Sequence, residues 1–187
     1  MEILDPDHVG LVLGTPSHVG KMGGKEEDIG AFLDAHWPGR VVRPNDRRYG
    51  HHVFRFVSDG CLVDARHHGK MGRLPHTRDS YQKRYAFDVW SSQAMYIEGK
   101  PATLAFRAHR HQYADSGPVP SFRHGTRLIS LPCYQLGTEW VTKMALEDPA
   151  HIGMVGVTID DGRPRDPYET IVIPTLPGED QAWQLTE

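Results

Sequence analysis

The stretch of this chain best suited to chemistry is the tripeptide His109-Arg110-His111. It closes the apolar segment Ala102-Thr-Leu-Ala-Phe-Arg-Ala108 and runs at once into turn residues, Ala114-Asp-Ser-Gly-Pro118. On an extended segment the side chains at i and i+2 share a face, so the two imidazoles are expected on one side, just past a strand end. Neutral imidazole is a common ligand for zinc and similar ions, and such a pair is half of a coordination set. Two further loops of similar build carry histidine: Gly14-Thr-Pro-Ser-His18, and Arg66-His67-His68-Gly69 after the apolar run Cys61-Leu-Val-Asp-Ala65. Histidine is the compositional outlier, with 12 residues in 187.

The elements that must position these loops follow from the patterning. Val9-Gly-Leu-Val-Leu13 reads as a short buried strand entering a Gly-rich loop. Lys25 to His36 reads as a helix with Ile29, Phe32, Leu33 and His36 on its inner face, acids in its first turn and Pro38-Gly39 beyond its end. Strand, loop and helix in that order are an α/β unit. Val41-Val42 and His52-Val-Phe-Arg-Phe-Val57 alternate like strands, and Ser58-Asp-Gly60 is a tight-turn signal. The expected hairpin delivers His67 and His68 to a loop at the end of its second strand. A long helix runs from Thr77 or Asp79 to about Ile97, with Tyr81, Tyr85, Val89 and Tyr96, joined by Phe87, Trp90 and Met95, as a core-facing aromatic side. Strands follow at 102–108 and at Thr126-Arg-Leu-Ile-Ser-Leu131. Val155 to Ile159 and Glu169 to Ile173 form a hairpin-like pair around Asp160-Asp-Gly162.

Composition bounds the rest. A chain of 187 residues suits a single domain, 1–187, with a core over about 9–175 and a polar tail over about 177–187. The net charge of −3 argues against general electrostatic binding to nucleic acid or anionic membrane. No apolar run approaches the roughly 18 residues that span a bilayer. The segment Met1 to His8 lacks the basic and apolar regions of a signal peptide. Cys61 and Cys133 are isolated from one another and from any C-x-x-C pair, so a cytoplasmic protein with two reduced thiols is expected.

The order and spacing of the histidine loops resemble the C-terminal half of the calcineurin-like metallophosphoesterases. That family uses Asp-x-His, Gly-Asp-x-x-Asp, Gly-Asn-His-Asp/Glu, a single His after a strand, and Gly-His-x-His. Gly14-Thr-Pro-Ser-His18 looks like an altered third motif, His67 looks like the single histidine, and Ala108-His109-Arg110-His111 looks like Gly-His-x-His with Ala for Gly. The layout is similar to phage-type members, whose third motif is a longer Gly-Thr-x-x-His-Val-Gly, and it spans roughly residues 9–145.

The resemblance implies an α/β (α+β) fold, with mixed β-sheet layers and flanking helices, like a truncated metallophosphoesterase sandwich. It implies a metal-dependent hydrolase acting on a phosphomono- or diester, of nucleotide or nucleic-acid type. The metal ligands are then His67, His109 and His111, His18 is the catalytic residue that contacts the phosphate and helps the leaving group, and Arg66, Arg110, Arg123 and His124 are placed to pair with phosphate oxygens. The cofactor is a divalent ion (Mn, Zn, Fe or Ni). If phage-encoded, the protein works in the host cytoplasm.

Two departures matter. Thr15 stands nearest the position of the motif's ligating Asn, and a hydroxyl is a poorer ligand than an amide carbonyl. The two Asp-bearing motifs have no counterpart before Val9, where Asp5, Asp7 and His8 are read as an acidic N-terminal segment. Without a bridging carboxylate the usual pair of ions ~3.5–4 Å apart is not held, whereas three histidines suit one ion with an open position. The expectations are therefore one ion, a site completed by a homo-oligomer, a partner chain or a further N-terminal segment, or, alternatively, an inactive structural or interaction subunit. A His-x-His also occurs in cupin-like metal barrels, but no Glu follows at the expected distance and two helices interrupt the strands. The loop from Gly14 to Gly24 is not a phosphate-binding P-loop, because Met22 follows Lys21.

Overall fold

The computed structural model describes residues 5–14, 24–46, 48–70, 78–96, 100–117, 125–133 and 150–172. It has an α+β fold: among the described residues, two helices are set against strands in mixed sheets. His18, Thr15, Arg123, His124 and the polar tail lie outside the described residues.

The chain enters through β1 (Val9–Val12), followed by α1 (Gly24–His36), β2 (Val41–Val42) and β3 (Gly50–His51). β1 pairs in parallel with both short strands and is central to the order β2-β1-β3. α1 has the expected extent but a different inner face. Ile29 and Phe32 are exposed, and the buried position is Gly30, against which the Tyr49 ring lies so closely that a β-carbon would overlap it. Polar anchoring replaces the apolar stripe: the Glu27 carboxylate accepts from the backbone N–H groups of Tyr49 (2.9 Å) and Gly50 (3.4 Å), and Glu26 accepts from Gly14 N–H (3.3 Å). The periodic apolar residues are outbid because the short strands beside α1 present unpaired N–H groups, which are costly to leave unmet.

The main sheet holds β4 (Val53–Ser58), β5 (Cys61–His68), β6 (Leu104–Ala108), β7 (Ala114–Asp115) and β8 (Arg127–Ser130) in the order β4-β5-β6-β8-β7. β4 and β5 form the expected hairpin through Asp59-Gly60, both at positive φ. β5, β6 and β8 run parallel, while β4 and β7 flank them antiparallel. α2 (Arg78–Tyr96) connects β5 to β6, the usual way for parallel neighbours to be joined.

α2 covers one face of this sheet with only part of the side that spacing favoured: Val89 and Tyr85 pack there. Its buried positions are Gln82, Ala86, Val89 and Gln93, whereas Phe87, Met95 and Tyr96 are exposed. Ala86 and Val89 pack on Ala105 and Leu128. Gln82 donates to Ser130 Oγ (2.9 Å), and Gln93 accepts from Ala102 N–H (2.7 Å). Small side chains let the helix sit close to the strands, and the two amides tie its ends to the sheet. On the opposite face Cys61, Val63, Leu104 and Ile129 are almost fully buried and meet Phe106, Leu131, Val155 and Ile159.

The last strands are β9 (Ile152–Gly156), β10 (Ile159–Asp160), β11 (Arg163–Pro164) and β12 (Tyr168–Val172). β12 pairs antiparallel with β9, which lies earlier than the strand expected from Val155 to Ile159, because Ile159 and Asp160 form β10 of a small hairpin that Asp161-Gly162 turns between them. Among the described residues no helix is long and apolar enough to cross a membrane.

Candidate functional site

The parallel strands β5, β6 and β8 end at one edge, and the histidines gather there, beyond the carboxyl ends of the strands where open α/β sheets place ligands. β4 begins at the same edge, since Val53 pairs with Arg66. β3 leads into β4, and Leu13 N–H donates to His51 carbonyl (2.8 Å). The outlet of β1 toward residues 15–23 therefore lies at that edge too.

His67 and His68 belong to β5 itself, not to a loop after it. The pairing with β6 slips between them: Arg66 faces Arg107, His68 faces Ala108, and His67 is the extra residue of a bulge. A bulge suspends the strict alternation that would send consecutive side chains to opposite faces. The outcome is visible in the rings. Those of His67 and His68 are 5.2 Å apart, and each is 5.0 Å from the ring of His109.

The His-x-His segment is also not extended. His109 and His111 both adopt positive φ, 73° and 57°, so the chain bends as it leaves β6. The same-side argument for the two imidazoles fails with the extended backbone it assumed. The bend brings His109 toward β5, where its Nδ1 is 3.1 Å from His67 Nε2. The carbonyl of His111 accepts from His151 N–H (2.8 Å). His151 Nδ1 in turn accepts from Tyr113 N–H (3.1 Å), so this histidine clasps both ends of the bend. Arg110 is exposed.

Beneath the histidines lies an ionic cluster. Asp64 is fully buried and Arg107 is 3% exposed. Arg107 Nη2 is 2.8 Å from Asp64 Oδ1, and its Nη1 donates to the carbonyls of Asp64 (3.0 Å) and Phe106 (2.7 Å). Arg66 grips the same carboxylate through Nε and Nη2, each at 3.0 Å, and Arg55 Nε lies 3.5 Å from it. Asp64 thus ties β5 to β6 just before the histidines at the end of β5 and past the end of β6. Gly69 lets the chain after His68 pass over this cluster, since a β-carbon there would stand 2.7 Å from Arg107 Cβ.

Sequence reading missed Asp64, Arg107, Arg55 and His151. For the first two a signal existed: each is a lone charge inside an apolar strand, and a charge there is stable only when paired. His151 carried none.

Cys61 is a reactive side chain within the sheet. Burial pushes its thiol above the ordinary value of 9.0, a hydrogen bond with Thr103 opposing only part of that rise, so it is a protonated core residue and not a nucleophile.

The N···N separation of His67 and His109 can be compared with metal geometry. Two ligands at about 2.0–2.1 Å from a tetrahedral ion stand roughly 3.3 Å apart. The two imidazole nitrogens, 3.1 Å apart and joined by a hydrogen bond in which one ring donates and the other accepts, are within a few tenths of an ångström of that separation. Among the described residues no group of three or more His, Cys, Asp or Glu side chains is arranged to hold a metal ion. Comparison with family models, curated proteins and solved structures finds no match to this chain.

Proposed function

We propose that this chain is a metal-dependent phosphoesterase-like domain, hydrolysing a phosphomono- or diester of nucleotide or nucleic-acid type. The observation that carries the reading is the 3.1 Å approach of His67 Nε2 to His109 Nδ1 at the carboxyl edge of parallel strands. His67 and His109 would hold a divalent ion (Mn, Zn, Fe or Ni), with His111 in the same bend and His18 reaching the phosphate from the β1 outlet. Bound there, the ion supplies Lewis acidity toward a phosphoryl oxygen. The protein's own part is to pin both strand ends through Asp64 and to offer guanidinium groups, Arg66 and Arg110 first, with Arg123 and His124 in the same role. Further ligands, carboxylates by preference for a hard ion, come from a second copy, a partner chain or a further N-terminal segment.

The test is metal content of the purified chain, with turnover of bis(p-nitrophenyl) phosphate in Mn²⁺, Zn²⁺ and Ni²⁺. Bound metal with turnover lost in His67→Ala and His109→Ala is the expected result. No metal and no turnover in any of the three would defeat the enzymatic reading.

A second reading, an interaction subunit without activity, draws on the exposed apolar residues of β4. This strand ends the main sheet, with Val57 67% exposed and Val53 and Phe56 partly so. Apolar sheet edges associate. A monodisperse monomer by light scattering would count against it.

A further inference from the structure

We propose that Arg55, Arg66 and Arg107, gathered round Asp64, form a binding site for a phosphoryl dianion. Register brings them together: Arg55 sits opposite Asp64 on β4, Arg66 is two residues along β5, and Arg107 is Arg66's partner on β6. Side chains at those positions share one face of the sheet.

Charge is what points to a ligand. Three guanidinium groups contact one carboxylate, which leaves a surplus of two positive charges. Asp64 is 0% exposed and the side chain of Arg107 3%, so water screens the inner part of the cluster poorly. Buried charge is ordinarily balanced by partners, and no second acid pairs with these arginines among the described residues.

Donor placement points the same way. Arg55 Nε is buried against Asp64 Oδ2 at 3.5 Å, so it belongs to the Asp64 contact. Its Nη2 donates to Lys100 carbonyl (3.0 Å), which holds the side chain in place. Arg66 gives Nε and Nη2 to Asp64, and its Nη1 makes no hydrogen bond among the described residues. The side chains of Arg55 and Arg66 are 24% and 35% exposed, so the cluster opens to solvent on their side. A phosphate group carries about −1.5 to −2 at pH 7 and several acceptor oxygens, matching both the surplus charge and the spare donors. A carboxylate neutralises only half of that surplus.

The site does not rest on the metal reading, and its test is run in EDTA. Titration calorimetry and thermal unfolding of the full chain at low ionic strength, with inorganic phosphate as probe and acetate and chloride at matched ionic strength, read it directly. Saturable phosphate binding is expected, at least about tenfold tighter than acetate. Arg55→Gln, and separately Arg66→Gln, should each weaken it about tenfold or more. Binding should survive in the His67→Ala/His109→Ala double variant. The proposal fails if phosphate does no more than chloride, if both arginine variants bind like the parent chain, or if the double histidine variant abolishes binding.

Discussion

Nε2 of His67 stands 3.1 Å from Nδ1 of His109, although 42 residues separate them in the chain. A β-bulge on one strand and a left-handed residue just past its neighbour produce this approach, and each device departs from regular strand geometry. Deviations of this kind persist only where the surroundings hold them, as the Asp64 cluster and Gly69 do here.

If the pair is a metal half-site, replacing either ring removes one of its two aligned nitrogens. His67→Ala and His109→Ala should each lower Zn²⁺ affinity by at least about tenfold. Competition with a chromophoric chelator measures it; unchanged affinity in both variants would remove the pair from any metal site.

Asp64 holds three guanidinium groups from the interior. Asp64→Asn keeps the shape and deletes the charge, leaving Arg107 buried beside two like charges. Breaking a buried pair by removing one partner costs about 3–5 kcal/mol. Urea unfolding should show a loss of that order, and a change under about 1 kcal/mol would mean that the cluster is solvated in solution.

Gly30 sets helix propensity against packing. Alanine is favoured over glycine in a helix interior by up to about 1 kcal/mol. Its β-carbon here would overlap Tyr49 Cβ and Cγ, atoms next to the backbone that cannot swing aside. Overpacking costs about 1–3 kcal/mol, so Gly30→Ala should destabilise on balance. A higher midpoint of thermal unfolding in the variant would show that Tyr49 yields.

Cys61 predicts a pH dependence. Its pKa is raised in the folded state, above the ordinary value of 9.0. Below that value the thiol is protonated whether the chain is folded or not, and it contributes no slope. Above it the unfolded chain loses the proton first, so the folded state binds more protons and stability falls as pH rises. Chemical unfolding between about pH 8 and 10 should show this decline in the parent chain and a shallower one in Cys61→Ala. Parallel profiles would assign the alkaline slope to other groups.

Local pattern was enough for much of the fold. The Asp59-Gly60 turn between two apolar runs, the helix before Pro38-Gly39, the long helix ending near Gly99 and the strand before His109 are all readable, because turn chemistry and run length act within a few residues. The inner faces of the helices were not. Phe32, Phe87 and Tyr96 carry the apolar periodicity and yet lie exposed, while Gly30, Gln82 and Gln93 are buried, since the choice depends on how near a strand approaches and which of its polar groups need partners. The site divides the same way. Histidine type and spacing singled out His67 and His109 from one dimension. Their approach, the entry of His68 beside them, and the salt-bridged Asp64 and Arg107 beneath arise only when β5 and β6 lie side by side, because cross-strand register and a one-residue slip have no signature along the chain.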